Sequence, residues 1–416
     1  VATGTDDPAE PTITPLTVPA DGVPDVIADP HALLIAADQL AQGQGPIAID
    51  AERASGYRYG QRAYLVQLRR AGTGTLLIDP TTTGPLDVLV EPLTSDEWIL
   101  HAASQDLPCL AELGLRPTSL FDTELAGRIA GFPRVGLGPL VERMLGLALE
   151  KGHGAADWST RPLPEPWLRY AALDVEVLLE LRAALIDELE AQGKLDWALE
   201  EFAAIVAAPP ATPRAEPWRR TSGLHRIRKP RLLATVRELW TERDLIAQER
   251  DLSPGRVLPD AAIVEAAQSD PKDLEGLLAL PGFKGRGARR YDTRWWRAIE
   301  RARALPSDEL PTAAAAVEGP PPPRTWPDRD PAAAARLSAA RAALSALSEA
   351  QAVPVENLLS PDLVRRLCWE PPETIDASGV RARLEAGRAR QWQIALTLPL
   401  LVDALSSEPG QPAAAE

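Results

Sequence analysis

The sequence predicts an α/β domain followed by one or two small all-helical units, and three observations carry that prediction. Between residues 24 and 208 short apolar strand patterns alternate with helical ones. Proline-rich breaks fall at 208–217 and around Pro320 to Pro323. Beyond each break, apolar residues recur only at helical spacing. A chain of 416 residues is also too long for a single core.

In order along the chain, residues 1–22 are rich in Pro, Thr and Asp without periodicity and read as a disordered lead. The α/β domain spans 23–207, with strand patterns at 47–51, 63–68, 75–78 and 98–101. A long amphipathic helix is expected over 166–192 and another over 195–207. The segment 208–217 is a linker. The first helical unit, 218–304, has candidate helices at 229–250, 260–267, 273–279 and 287–303. A second linker, 305–330, reads as extended because of its four consecutive prolines. The second helical unit covers 331–407, and a disordered tail is expected over 408–416. Residues 332–360 follow the same plan as 228–259: a long helix with periodic Leu, a Pro-containing turn and a short helix. This reads as a degenerate internal repeat.

Several classes are set aside by composition. The apolar run at 396–405 is interrupted by Pro399 and Asp403 and falls short of the roughly 20 residues that cross a bilayer. Residues 1–10 are acidic and lack an apolar stretch, so no secretory signal is read and a cytoplasmic protein is expected. Cys109 and Cys368 are too few and too far apart for a disulfide framework or a thiolate metal site. The formal net charge of −15 argues against a polyanionic partner, but its distribution does not. Segment 214–303 holds 20 Lys and Arg against 13 Asp and Glu, a net of +7; the rest holds 24 against 46, a net of −22. A basic module is fused to acidic neighbours, although such asymmetry is also compatible with a solvated surface.

Three segments carry candidate chemistry. In "PIAIDAERA", strand alternation places Asp50 and Glu52 on one face, where paired carboxylates can hold hard cations; a lone acidic pair is more commonly a solvated strand face. In "WILHAASQDLPCL", Asp106 lies early in the helix after an apolar strand, where an ordinary cap is the plain alternative. In "LRYAALDVEVLLEL", Tyr170 and Asp174 are four apart and share a helix face. Ala171, Val175 and Leu178 put Asp174 near the core, where a carboxylate needs a hydrogen-bond partner or a metal.

Taken together, these segments resemble the three exonuclease motifs of the DEDD superfamily, in the form whose third motif is Tyr-x-x-x-Asp. The likeness is to the ribonuclease D family. It rests on "AIDAERASGYRYGQRAYLVQLRR", "HAASQDL" and "DWSTRPLPEPWLRYAALDVEVLL" and covers residues 24–205. The cluster Trp158–Ser159 and Arg161–Pro162–Leu163 ahead of the third motif is particularly specific. The resemblance implies a ribonuclease H-like α/β exonuclease domain with a mixed β-sheet and 3′→5′ hydrolysis of phosphodiesters with two divalent cations, Mg²⁺ or Mn²⁺. By that analogy Asp50, Glu52 and Asp174 hold the cation that carries the attacking water, with Asp50 bridging. Asp106 holds the second cation through water, and Tyr170 orients or deprotonates the nucleophile. The histidines His31, His101, His153 and His225 form no cluster in sequence, which agrees with an all-oxygen donor set. There are departures. Ala51 stands where the family usually has Thr, which removes no ligand, and Gly152 and His153 stand where relatives carry polar or acidic residues, which puts a substrate contact in doubt.

Residues 218–304 resemble an HRDC domain, and 331–407 look like a second, diverged copy. The basic excess points to phosphate contacts by Arg219, Arg220, Arg226, Arg228, Lys229 and Arg231, then Lys284, Arg286, Arg289 and Arg290. Tyr291, Trp295 and Trp296 are read as core in preference to base-stacking platforms. The expected substrate is structured RNA such as transfer RNA precursors. A DNA exonuclease of the same fold stays open, because the carboxylates act on phosphate and not on the sugar; a non-catalytic nucleic-acid-binding protein is a further alternative, against which the intact set Asp50, Glu52, Asp106, Tyr170 and Asp174 argues.

Overall fold

The computed structural model describes residues 13–150, 152–210, 212, 214–312 and 319–406. Its strands in chain order are β1 (Thr14–Leu16), β2 (Val26–Ile27), β3 (Gln44–Arg53), β4 (Ala63–Ala71), β5 (Gly74–Ile78), β6 (Trp98–Leu100), β7 (Leu120–Asp122) and β8 (Leu147–Leu149). Six of them form a mixed sheet in the order β2-β5-β4-β3-β6-β7, and β1 pairs with β8 alone. β3 lies inside the sheet, antiparallel to β4 and parallel to β6. Its Ile47, Ala48, Ile49 and Ala51 are all buried, so both faces are covered.

Helices α1 (Pro30–Gln42), α2 (Val90–Thr94), α3 (Leu107–Glu112), α4 (Thr123–Ile129), α5 (Leu137–Leu145), α6 (Glu165–Glu176), α7 (Leu178–Ala191) and α8 (Leu195–Val206) complete this part. The single helix expected over 166–192 is two, broken at Val177. The break lets α6 cross β3, β4 and β5 while α7 packs on β3, β6, α4 and α5. The lead expected over 1–22 also needs correction: residues 1–12 lie outside the described part, but from Thr14 the chain pairs in parallel with β8, and the Ala20 amide donates to Glu176. Polar composition conceals a strand whose partner is 133 residues away, between Thr14 and Leu147. The tail 408–416 lies outside the described residues.

The first helical unit contains α9 (Pro230–Arg250), α10 (Pro254–Val257), α11 (Asp260–Ser269), α12 (Leu274–Leu278), α13 (Arg286–Arg289) and α14 (Asp292–Ala304). The second contains α15 (Trp326–Arg329), α16 (Pro331–Gln351), α17 (Val355–Leu358), α18 (Pro361–Trp369), α19 (Ala377–Ala386) and α20 (Gln391–Ser406). The two share one plan. Each has a 21-residue helix closed by a left-handed residue, Asp251 in one and Ala352 in the other. A four-residue helix follows in each, and each long helix packs against the last helix of its unit. Trp295 is buried in the first unit, as expected of core, while Tyr291 and Trp296 are partly buried against it.

The linker expected to be extended over 305–330 is not so at its C-terminal end. Trp326 is fully buried among Leu337, Leu367 and Trp369, and its indole N–H donates to the Pro321 carbonyl at 2.8 Å. Arg365 donates to the Pro320 carbonyl at 3.0 Å. The prolines therefore offer carbonyls that the second unit uses, and that unit begins ahead of residue 331.

Both units dock on the α/β part through the corner after their long helix. In the first, Ser253 N donates to Tyr57 O at 3.0 Å, Arg256 Nε to Gly56 O at 2.9 Å, and Arg256 lies over the Tyr57 ring. In the second, buried Lys194 donates to Ile129 O at 3.1 Å and Gln351 O at 2.7 Å. A Cβ on Gly131, at φ +82°, would lie 2.3 Å from Ala352 O, so only glycine permits this approach. Trp197 on α8 stacks on Trp392 at 5.1 Å, and Glu201 accepts from Trp392 Nε1 and Gln393 Nε2.

An unstructured linker would tolerate Trp326→Ala. Here the substitution should remove about 3–5 kcal/mol from the second helical unit, as for other buried tryptophans, and guanidinium unfolding of the variant against the parent chain measures it.

Candidate active site

The bottom of the site is β3. Its pleat sets Asp50 and Glu52 on one face, opposite Gln67 and Leu65 of β4, and α6 crosses that face. One helical turn apart on α6, Tyr170 and Asp174 look onto the strand carboxylates and line the same cleft. Carboxylate oxygens of Asp50, Glu52 and Asp174 all lie within 4.8 Å of one another.

The fourth acid arrives from the other side. β6 ends at Leu100, Ala102 turns through the left-handed region at φ 59°, and a 3-10 turn at Ala103–Gln105 delivers Asp106 at the joint with α3. That turn is clamped by Asp122, at the end of β7, which accepts from Ala102 N at 3.0 Å and Ala103 N at 2.9 Å. The same carboxylate caps α4 through Glu124 N and Leu125 N. The capping alternative for Asp106 does not hold: its side chain caps nothing and lies instead against Arg53, with NH2 3.3 Å from Oδ1.

The segment before α6 fastens that helix to the sheet. Trp158 is fully buried beneath α6, packing with Ala171, Leu65 and Tyr64. Arg161 pairs with Asp79 at 2.6 Å and donates to the carbonyls of Tyr64 and Trp158 at 2.7 Å each, fastening this loop to β4 and β5. His153 meets the Tyr170 ring edge-on at 5.8 Å, and a Cβ on Gly154 would stand 3.6 Å from the tyrosine hydroxyl.

Asp50, Glu52, Asp106, Tyr170 and Asp174 line one cleft of about 470 Å³, with Arg53 at its edge. Burial raises all four of these carboxylates, and repulsion from neighbouring acids adds to it at Glu52, Asp106 and Asp174: Asp50 is raised, Glu52 and Asp174 lie well above their ordinary values, and Asp106 is pushed up to about 8. Tyr170 is raised by burial and then by Asp174, so its hydroxyl keeps its proton. His101 is held at about 4 by burial and makes a 2.9 Å hydrogen bond to Thr123 Oγ1. Converging oxygens of buried, mutually repelling carboxylates suit hard divalent cations, which supply the missing positive charge. No such group involves histidine or cysteine among the described residues.

The basic candidates divide. Arg219 pairs with Glu216 and lies over the Trp218 ring, and Arg231 donates to the carbonyls of Ala302, Arg303 and Leu305 at the end of α14. Both are engaged within the fold. Arg220, Arg226, Arg228, Lys229, Lys284, Arg286, Arg289 and Arg290 are exposed. Two residues of the site, Asp122 and Arg53, are not among those expected from sequence. A signal is present for Asp122, since Asp followed by Thr and Glu at a helix start is an N-cap pattern, but its second role clamping the Asp106 turn is visible only in three dimensions.

Comparisons with known proteins point to the same fold and domain order. Residues 24–190 match the family model described as 3′-5′ exonuclease, 233–299 match the HRDC domain, and 319–405 match the 3′ to 5′ exonuclease C-terminal domain. A ribonuclease D of Gluconacetobacter diazotrophicus is 32% identical over 335 residues, covering 78% of this chain and 81% of the relative. A crystal structure of a protein from Bifidobacterium adolescentis is 36% identical with a TM-score of 0.87, covering 95% of this chain and all of that one. Escherichia coli RNase D, described as an exoribonuclease involved in structured RNA processing, is 28% identical with a TM-score of 0.67, covering 91% and 98%.

Acids raised in the folded state bind protons that the unfolded chain has released, so the stability they confer is present below their unfolded pKa near 4 and is lost as pH climbs through the folded values. In chelator-treated protein, Asp174→Asn should therefore unfold at a higher temperature than the parent at pH 8, and the gap should close toward pH 4. A gap of constant size across that range would contradict the electrostatic account.

Proposed function

This chain belongs to the ribonuclease D family of 3′→5′ exonucleases, and from that membership we propose that it removes nucleotides one at a time from the 3′ ends of structured RNA such as transfer RNA precursors. The observation that carries the reading is the convergence of Asp50, Glu52 and Asp174 within 4.8 Å, with Asp106 and Tyr170 in the same cleft. A non-catalytic nucleic-acid-binding protein would not need to keep four desolvated carboxylates together.

Asp50, Glu52 and Asp174 would hold one divalent cation, Mg²⁺ or Mn²⁺, with Asp50 shared toward a second held through Asp106. Bound there, two such ions lower the pKa of an attacking water and neutralise charge that develops on the phosphate and the leaving 3′ oxygen. The protein supplies the rest. Tyr170 presents its hydroxyl to the cleft that Asp174 lines, one helical turn away, where it orients an incoming nucleophile. Its ring is braced by His153. β3 and α6 hold the acids on rigid elements, so little reorganisation is needed when the phosphate arrives.

RNA gathering falls to the helical units. The α/β part is acidic, whereas the 214–303 segment carries a net +7. Exposed Lys284, Arg286, Arg289 and Arg290 cluster at one turn and the short α13 after it, and they suit phosphates of the RNA body.

Asp50→Ala should abolish Mg²⁺-dependent release of mononucleotides from a 3′-labelled RNA while thermal unfolding stays cooperative. Tyr170→Phe should lower kcat by about 10²-fold with KM little changed. Running the same strands as RNA and DNA separates ribonuclease from deoxyribonuclease activity, and faster cleavage of the DNA would replace the RNA reading. Combined Ala substitution of Lys284, Arg286, Arg289 and Arg290 should raise KM on a transfer RNA precursor and flatten the log–log salt dependence by up to about 0.9 for each phosphate that is no longer neutralised. An unchanged slope would return that cluster to solvated surface.

A further inference from the structure

We propose that Arg53 is a positioning residue that occupies Asp106 in place of the second cation and yields it only when a phosphate group enters the cleft. The inference rests on the metal-site reading above and concerns one of its two ion positions.

The four acids are not equivalent. Asp50, Glu52 and Asp174 already gather their oxygens within 4.8 Å, whereas Asp106 stands outside that group. Its Oδ1 faces Arg53 NH2 at 3.3 Å, with the aspartate side chain only 7% exposed. Arg53 is tied in place by a second contact, NH1 to the Gln105 carbonyl at 2.6 Å, so its guanidinium grips both the carboxylate and the backbone of the turn that presents it. The pairing of β3 with β4 shifts register between Glu52 and Arg53, which frees the arginine from the pleat of its strand.

Arg53 also faces the route a strand would take. It lines the main cleft and an adjoining one of about 260 Å³ bounded by Ser55, Gly56 and Gly154, and a quarter of its side chain is open to solvent. A forked guanidinium prefers a phosphate, which it can grip bidentately, over a single long contact to one carboxylate oxygen. Charge counts in the same direction. With the acids ionised, the four carboxylates and Arg53 sum to −3, and one divalent cation leaves −1. A second would overshoot these five side chains by one charge, with Glu150 alone left in the lining to offset it, so an arriving phosphate eases the loading of the second ion. Loading of the second ion and arrival of substrate are thereby coupled through one side chain, and the coupling is reciprocal.

The test counts Mn²⁺ bound per chain by electron paramagnetic resonance, with adenosine 5′-monophosphate as an uncleavable phosphate probe and adenosine as its uncharged control. The full-length parent should bind one Mn²⁺ tightly alone and a second roughly tenfold more tightly with the monophosphate than with adenosine. Arg53→Gln should bind the second ion without the monophosphate and show little further gain when it is added. Arg53→Lys keeps the charge but not the fork, so it should bind one ion alone and show a weaker monophosphate effect; it carries the test should Arg53→Gln not fold. Two equal Mn²⁺ sites in the parent chain without nucleotide, or Arg53→Gln matching the parent, would overturn the proposal while leaving the metal site standing. A monophosphate effect in Arg53→Lys equal to that of the parent would likewise overturn it. No Mn²⁺ bound at all would remove the metal reading and this inference together.

Discussion

Four carboxylates drawn into one buried cleft are the constraint around which the α/β part is organised. Two like charges 4 Å apart repel by about 4 kcal/mol at the effective dielectric of a protein surface, and burial adds its own cost. No short segment could impose such an arrangement on itself. Each acid is instead carried by an element fixed elsewhere: Asp50 and Glu52 by a strand covered on both faces, Asp174 by a helix fastened from below through Trp158 and Arg161, and Asp106 by a turn clamped through Asp122. Much of the sequence outside the motifs is therefore there to hold the motifs against their own electrostatics.

This division explains what can be read directly from the residues. The inner strands are legible because Ile47, Ile49, Leu65 and Leu68 alternate or run together in ways only a sheet accommodates. The acids proposed to hold metal are legible in part because spacing alone puts Asp50 with Glu52 and Tyr170 with Asp174. β1 and β8 are not, since each is three residues long and pairs only with the other across 133 residues of chain, and β7 is a three-residue strand at the sheet's edge. The break at Val177 is hidden for a related reason: helical periodicity continues across it, and only packing on two different surfaces separates α6 from α7. Arg53 and Asp122 stay invisible because their meaning lies in what they touch. Arg219 and Arg231 mislead in the opposite sense, since charge in a sequence does not reveal that a guanidinium is spent on a carboxylate or a helix end.

The helical units repay comparison with each other. They share the length of the long helix and the left-handed residue that ends it, although Asp251 and Ala352 have nothing chemical in common. Both present the corner beyond that residue to the α/β part, yet the contacts differ throughout, with backbone carbonyls of a loop in one case and a buried lysine and stacked tryptophans in the other. The two units share a backbone plan while the side chains at the corner differ. The first unit keeps an exposed basic turn, while α20 of the second spends its N-terminal end on Glu200 and Glu201.

The loop between β3 and β4 has a further implication for how the protein can change over evolutionary time. It continues directly from Glu52, and by Gly56 and Tyr57 its carbonyls are already bonded to Ser253 and Arg256, while Arg58 reaches Ser159 ahead of α6. Four residues of backbone, at most about 14 Å, separate a carboxylate of the cleft from a neighbouring module. An inserted or deleted residue there would shift the carboxylate, the module and the loop beneath Tyr170 at once. The 208–217 connection joins the same two bodies in the chain, and its described residues carry no such triple duty. Variation in length between lineages should collect in that connection, and the loop should keep its length even where its letters drift.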